Sequence, residues 1–360
     1  MFRVLRKLKG YKPLVYVDGG LFLSSGYSLY LSGKDLEGLR FFCRLPVGLV
    51  KRILSKVRLF ARVLRLGVGC SIDLGNNFIL VVCRDRIYRV NKVDGSVGLD
   101  FLIPEKKTAL YLSIVKSPNS DRRYVCFGEY FSNPDKDCVN VWAREISPSA
   151  QWFLAHKFER GMINHVHNII DSPFVDRVYV LTGDFGSAAA IWTCTKEFKS
   201  FRVLLSGAQR VRACWATFRQ TDIIFASDTQ LELNNVYFSH DGSIRKIDVI
   251  EGPSIYFAEA KGCVYFSTSV EPGAPSGNFL RDLFCRKPGV GVRSNEAYIY
   301  SLDIANTIAP VLKAEKDFIP MRLGQFGSFM FPSGVSGSEQ VVAYGVALKG
   351  FDDCALLLSR

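Results

Sequence analysis

"NHVHNIIDSPFVDRVYVLTGDFGSAAAIWTCT", Asn164 to Thr195, decides how this chain folds. Three short apolar runs, "HVHNII", "RVYVLTG" and "AIWTCT", follow one another, separated by Asp, Ser, Pro and Gly. Such residues make turns, and runs of this length and spacing read as antiparallel strands. The same style runs along the chain in "NFILVVC", "RYVCFG", "DIIFAS", "CVYFST" and "QVVAYGVAL". Helical periodicity is almost absent, so the expected class is all-β.

The third run of the stretch belongs to a repeat. An aromatic or apolar strand that turns polar recurs as "SLYLSG" near Leu29, "RIYRVN" near Tyr88 and "VNVWAR" near Trp142. It continues in "AIWTCT" near Trp192, "NVYFSH" near Tyr237, "YIYSLD" near Tyr300 and "ALLLSR" at the C-terminus. A period near 50 residues with about four strands per unit implies a β-propeller. The count gives seven blades, with six as the alternative, in a single domain over 1–360. Because the chain ends on the third strand type, "FRVLRKL" at the N-terminus is expected to supply the last blade's fourth strand.

In a propeller the start of the first strand and the end of the second meet at one face of the disc. His165 and His167 begin a first strand and share one side of it by alternation. Asp184 ends the second strand of the same blade, so the three are expected together at the channel mouth. "NHVHNII" aligns without a gap with "QRVRACW", which puts Gln209, Arg210 and Arg212 in corresponding places. Second-strand ends also align, giving Glu129, Asp184, Asp228 and Glu271 on one rim. Imidazole beside carboxylate suits acid/base chemistry near neutral pH. Paired arginines suit a carboxylate or phosphate. Two histidines with carboxylates could also hold a divalent metal, although a polar-lined channel with acids capping turns would look the same in sequence.

The chain of 360 residues carries a net charge of +12, which favours anionic partners. Its ten cysteines form no CxxC, the N-terminus lacks the apolar core of a secretory signal, and no uncharged run reaches membrane-spanning length. The expected location is therefore cytoplasmic. One segment breaks the strand pattern. In "LPVGLVKRILSKVRLFARVLRLG", Leu45 to Gly67, the residues Leu49, Val50, Ile53, Leu54, Val57, Phe60, Ala61 and Leu64 follow helical spacing. Lys51, Arg52, Arg58, Arg62 and Arg65 take the other face, and there is no acid. This reads as one basic amphipathic helix between blades. It either packs its apolar stripe on the propeller or lies on an anionic membrane surface, at the inner face of the cell membrane. No recognition motif for nucleic acid accompanies it.

"VCFGEYFSNPDKDCVNVW", "INHVHNIIDSPFVDRVYVLTGD" and "IIFASDT" resemble stretches of the glycosyl-hydrolase-like, BNR-repeat (Asp-box) propeller proteins of bacterial surface-polysaccharide loci. The resemblance covers roughly residues 45–280. By motif position it implies site roles for Glu129, His165, His167, Asp184 and Asp228. Asn168 stands where the family has Gly, and the Asp-box is degenerate at "SHDGSI". The arginine triad and nucleophilic tyrosine of sialidases are not found. The implied function is a carbohydrate-active protein handling an anionic or lipid-linked glycan, by hydrolysis, β-elimination or transfer. His165, His167, Asp184 and Glu129 would be catalytic, with Gln209, Arg210, Arg212, Asp228 and Glu271 binding substrate. No resident cofactor is expected unless a divalent metal is bound. The alternative is a non-catalytic glycan-binding or scaffolding propeller.

Overall fold

A computed structural model describes residues 2–118, 120–147 and 149–359. Its described strands form seven four-stranded antiparallel blades arranged as a ring. The innermost strands are Lys12–Val17, Ser71–Asp73, Ser113–Lys116, His165–Asp171, Ala213–Arg219, Ser254–Ala260 and Gly327–Met330. All seven repeats of the aromatic strand motif fall on third strands, including Ser28–Ser32 in the first blade and Cys354–Ser359 in the seventh. The seventh blade is completed by the N-terminal strand Arg3–Lys9, which pairs antiparallel with Cys354–Ser359 from Arg3↔Ser359 to Lys9↔Cys354. The six residue pairs of this one ladder join the two ends of the chain and close the ring.

A blade cannot bury both faces alone, so the core forms between blades. Each of the seven interfaces has its own apolar cluster. Val166, Val178 and Val180 of the fourth blade pack on Val139, Val141 and Phe158 of the third. Leu21 and Leu23 of the first blade pack on Val342, Ala355 and Leu357 of the seventh, sealing the join. This explains the continuous apolar second strands such as Phe78–Cys83: they are covered on both sides.

The insertion between the first and second blades differs from expectation. It is not one helix but two short ones, α1 (Leu49–Leu54) and α2 (Arg58–Val63), with Ser55 to Val57 between them. Its polarity is also reversed. Val50 is 69% exposed, and Leu49, Ile53, Val57, Phe60 and Leu64 are exposed as well, whereas Arg62 is 3% exposed. The reason is a group of acids on the seventh-blade side. Arg62 donates to the Gly324 carbonyl at 2.7 Å and to the Asp317 carboxylate, and Arg58 donates to Asp352 at 2.9 Å. Two arginines therefore fasten the insertion, and the apolar stripe is left facing out. Two further short helices, α3 (Phe279–Leu283) and α4 (Met321–Gly324), interrupt the sixth blade's second-to-third connection and the link to the seventh. Antiparallel order puts all these connections on one face of the disc, and α4 packs against both α2 and α3.

Candidate active site at the channel mouth

The two histidines and Asp184 meet on the face that carries the helices. His165 pairs with Gly183 across the fourth blade, and a one-residue bulge between Val166 and Asn168 falls at His167. Bulges re-aim side chains, and here both rings turn toward the end of the neighbouring strand. His165 Nε2 lies 3.0 Å from His167 Nε2, 3.4 Å from Asp184 Oδ1, and His167 Nε2 is 3.8 Å from the same oxygen. Both rings are buried. The first strand supplies the histidines, and the second ends where Gly183 leaves space for the His167 ring. A Cβ at Gly183 would stand 2.4 Å from Cε1 of that ring.

Arg212 of the fifth blade reaches across. Its Nη2 is 3.0 Å from Asp184 Oδ1 and 3.6 Å from Asp228 Oδ2, and its Nη1 donates to Gln230 Oε1 at 3.1 Å. Gln209 Nε2 donates to the Asp184 carbonyl at 2.8 Å, and Thr229 Oγ1 donates to Gln209 Oε1 at 2.7 Å. Cys214 Sγ donates to Asp228 Oδ2 at 3.3 Å. Glu271, on the sixth blade, accepts from Ser269 Oγ at 2.6 Å.

The electrostatics follow from burial and charge. Burial alone would raise the Asp184 carboxyl, but the His165 and His167 rings packed against it and the Arg212 charge outweigh burial and hold Asp184 well below the usual range. Burial lowers the His165 imidazole against the pull of Asp184. Burial, with the nearby Asp228 carboxylate, pushes Glu271 up to about 7. Burial opposes the charged form of Arg212, yet Asp228, Asp184 and Glu271 together raise it.

Two expected members stand apart. Glu129 follows its second strand as Asp184 and Asp228 follow theirs, but its carboxylate turns into the third blade. It is fully buried and accepts from Lys107 Nζ at 3.1 Å, Asn140 N at 3.0 Å, Asn140 Nδ2 at 3.1 Å and Trp142 Nε1 at 3.1 Å. Its acceptor capacity is used, so it locks strands together. Arg210 sits exposed in a 3-10 turn, Gln209–Val211, away from the cluster. The gapless alignment is three residues out of step. Ala213, not Arg210, pairs as His165 does, because Ala213 faces Ser227 where His165 faces Gly183. Arg212 reaches the site from the position equivalent to Asn164. It is 8% exposed and already engaged by two carboxylates, so it positions Asp184 and is not an open anion clamp.

Tyr130 was missed by the sequence reading. Its ring centre lies 4.4 Å from that of His165, and the Tyr130 side chain lines the central channel, a cavity of about 1580 Å³. The aromatic directly after an end-of-strand acid, in "GEY" and "GDF", was the available signal; Phe185 likewise lies 5.8 Å from the Arg212 guanidinium. Cys214 carried no such signal. On the same face the channel mouth is lined by Lys12, Lys56, Arg65, Arg84 and Lys106, with Tyr111 and Tyr256 between them. Burial lowers Lys12 to about 8. Metal-capable donors group twice among the described residues: His165, His167 and Asp184, and His167, Cys214 and Asp228, each set within 4.8 Å.

No protein-family profile and no curated protein matches this chain. Solved structures do resemble it. They include the AfRom2 CNH domain (9% identity, TM-score 0.59, covering 100% of this chain and 99% of that one). An oligogalacturonate lyase in complex with manganese matches at 9% identity and TM-score 0.58, covering 98% and 89%. A chain of the mitotic checkpoint complex matches at 6% and 0.57, covering 100% and 93%. At such identities the likeness establishes the fold alone: this chain is a β-propeller.

Proposed function

We propose that this protein is a carbohydrate-active propeller that takes an anionic glycan into the mouth of its channel, next to His165, His167 and Asp184. The observation that carries the reading is Tyr130, which belongs both to the channel wall and to the histidine site. A sugar ring stacked on Tyr130, Tyr111 or Tyr256 would bring its acidic group among Lys12, Arg65, Arg84 and Lys106. These cations replace Arg210 and Arg212 as the anion-binding group. The resemblance to BNR-repeat proteins of polysaccharide loci supports the same substrate class, as does a neighbour in fold that is a lyase of oligogalacturonate. Each Nδ1 faces a backbone carbonyl, Phe131 O for His165 and Ala213 O for His167, so both Nε2 atoms keep electron pairs beside a carboxylate, which suits hydrolysis or β-elimination next to a uronate.

The burial of both imidazoles favours a second reading, in which the glycan is bound without being cut. Calorimetry with uronate-bearing and neutral oligosaccharides, followed by mass spectrometry of the mixtures, separates the two. Binding of acidic chains that weakens at least about tenfold in Tyr111→Ala/Arg65→Ala supports the glycan site, and new product masses identify an enzyme. No binding and no product across the panel overturns both readings.

The outward apolar stripe of α1 and α2 supports docking of this same face on an anionic membrane, where a lipid-linked glycan would be presented. Leu49, Val50, Ile53 and Phe60 are exposed, and Lys51 and Lys56 stand exposed among them. Each apolar side chain inserted contributes about 1.5–3 kcal/mol and each basic residue about 1 kcal/mol. No helix among the described residues is long and apolar enough to cross a membrane.

A further inference from the structure

Two imidazoles that aim bare nitrogens at one another require something positive between them. His165 Nδ1 is 3.0 Å from the Phe131 carbonyl oxygen, and His167 Nδ1 is 2.8 Å from the Ala213 carbonyl oxygen. A carbonyl only accepts, so each Nδ1 carries its ring's proton. Both Nε2 atoms are then left with electron pairs, and they face each other at 3.0 Å. Asp184 Oδ1 adds a third donor at 3.4 and 3.8 Å. Two backbone carbonyls fixing the tautomer of two convergent histidines is the outer arrangement that metal-binding imidazoles use.

The spacing agrees. A triangle with sides of 3.0, 3.4 and 3.8 Å has a circumscribed radius of about 2.0 Å, and metal–nitrogen and metal–carboxylate bonds are about 2.0–2.2 Å. One point can therefore bond all three donors without rearrangement. The surrounding charge leaves room for a cation. Asp184 and Asp228 share one guanidinium, that of Arg212, at 3.0 and 3.6 Å. Asp228 Oδ1 has no hydrogen-bond partner although Asp228 is 4% exposed, and that residue belongs to the second donor set, with His167 and Cys214. Buried polar atoms are ordinarily satisfied, so this orphan is an independent sign of a missing positive partner.

We propose that His165 Nε2, His167 Nε2 and Asp184 Oδ1 bind one divalent transition-metal ion, with the remaining positions taken by water or by an oxygen of the substrate. Two imidazoles and one carboxylate suit ions such as Zn²⁺, Co²⁺ or Mn²⁺ and leave coordination positions open. In the glycan reading, on which this use of the ion rests, the cation would neutralise a uronate carboxylate and polarise its carbonyl. The presence of the ion does not depend on that reading. The competing occupant is a single proton shared by the two rings.

The test uses the full chain, stripped with a chelator and titrated with Co²⁺, followed by calorimetry and visible absorption. One ion per chain is expected. His165→Ala and His167→Ala should abolish binding, Asp184→Asn should weaken it by at least about tenfold, and Arg210→Ala should leave it unchanged. Because a variant can fail to fold, a second measurement uses wild-type protein only. Long-range ¹H–¹⁵N spectra of the imidazoles should show both Nε2 signals, and neither Nδ1–H, displaced by Zn²⁺. No binding, binding equal in the histidine variants, or rings unmoved by Zn²⁺ overturns the proposal and leaves the shared proton. The two readings fail separately. A protein that binds Co²⁺ yet ignores every glycan refutes the glycan reading alone. One that binds acidic glycans equally well with and without a chelator, and takes up no Co²⁺, refutes the metal site alone.

Discussion

Gly183→Ala tests the site through a single methyl group. That methyl would stand 2.4 Å from Cε1 and 2.6 Å from Nε2 of His167, against an ordinary contact of 3.4–4 Å. Either the strand or the ring must give by about 1 Å. The strand is held by its His165↔Gly183 pairing and by Asn164 N donating to the Gly183 carbonyl at 3.2 Å, so the ring moves. Overpacking of this kind costs about 1–3 kcal/mol, which for a chain of 360 residues lowers Tm by about 1–4 °C. The effect on function should be far larger, because a 1 Å misplacement costs about a hundredfold at a reacting centre. Thermal unfolding and Co²⁺ or glycan titration, run on the same sample, give the two numbers. A variant with wild-type affinity and activity would refute the claim that His167 is seated over Gly183 in a working geometry. A loss of Tm well beyond this range, with the folded fraction fully active, would make the glycine a folding residue only.

Other expectations follow from the same geometry. Arg62→Met should destabilise the fold by about 2 kcal/mol, since it removes the donor to the buried Gly324 carbonyl and leaves the Asp317 carboxylate with Lys316 and Ile319 N alone; denaturant unfolding measures it, and a cost below about 1 kcal/mol would contradict the anchoring role. Ile53→Asp/Phe60→Asp should leave Tm nearly unchanged while abolishing sedimentation with anionic vesicles, whereas equal sedimentation with neutral vesicles, or none for the wild type, would remove the membrane reading. Glu271 gains a folded-state value of about 7 from an ordinary 4.5, so the folded chain holds a proton that the unfolded chain has released. Its contribution is full below about pH 4.5 and is lost as pH rises to about 7, on the order of 3 kcal/mol. Glu271→Gln should flatten that part of the stability profile, and an identical slope in both proteins would show that Glu271 titrates normally.

Much of this was legible in the sequence, for reasons that lie in particular residues. Third strands repeat because each must present an aromatic or apolar residue, such as Tyr88, Trp192 or Tyr300, to a neighbouring blade. The ring closure was legible because "ALLLSR" reads as a third strand and "FRVLRKL" belongs to no other blade's set of four, and the two do pair. His165, His167 and Asp184 were legible because strand order alone brings the start of one strand to the end of the next. What was not legible depended on long-range partners or on local register. The reversal of α1 and α2 depends on Asp317 and Asp352, more than 250 residues away. The exclusion of Arg210 depends on the 3-10 turn Gln209–Val211, which delays the start of the innermost strand to Ala213. Glu129 looks like Asp184 in sequence, but Lys107 and Trp142 are present to take its carboxylate. Periodicity shows which residues share a face, but which face is covered is decided by the neighbouring blade.

The most direct test of the central claim is to titrate a uronate-bearing oligosaccharide into wild-type protein and into His167→Ala and His167→Gln, reading heat for binding and mass spectra for products. The account expects wild type to bind, with or without cleavage, and both variants to lose the response while keeping the β-sheet signature of the fold. Variants that remain folded and respond as wild type does would contradict it.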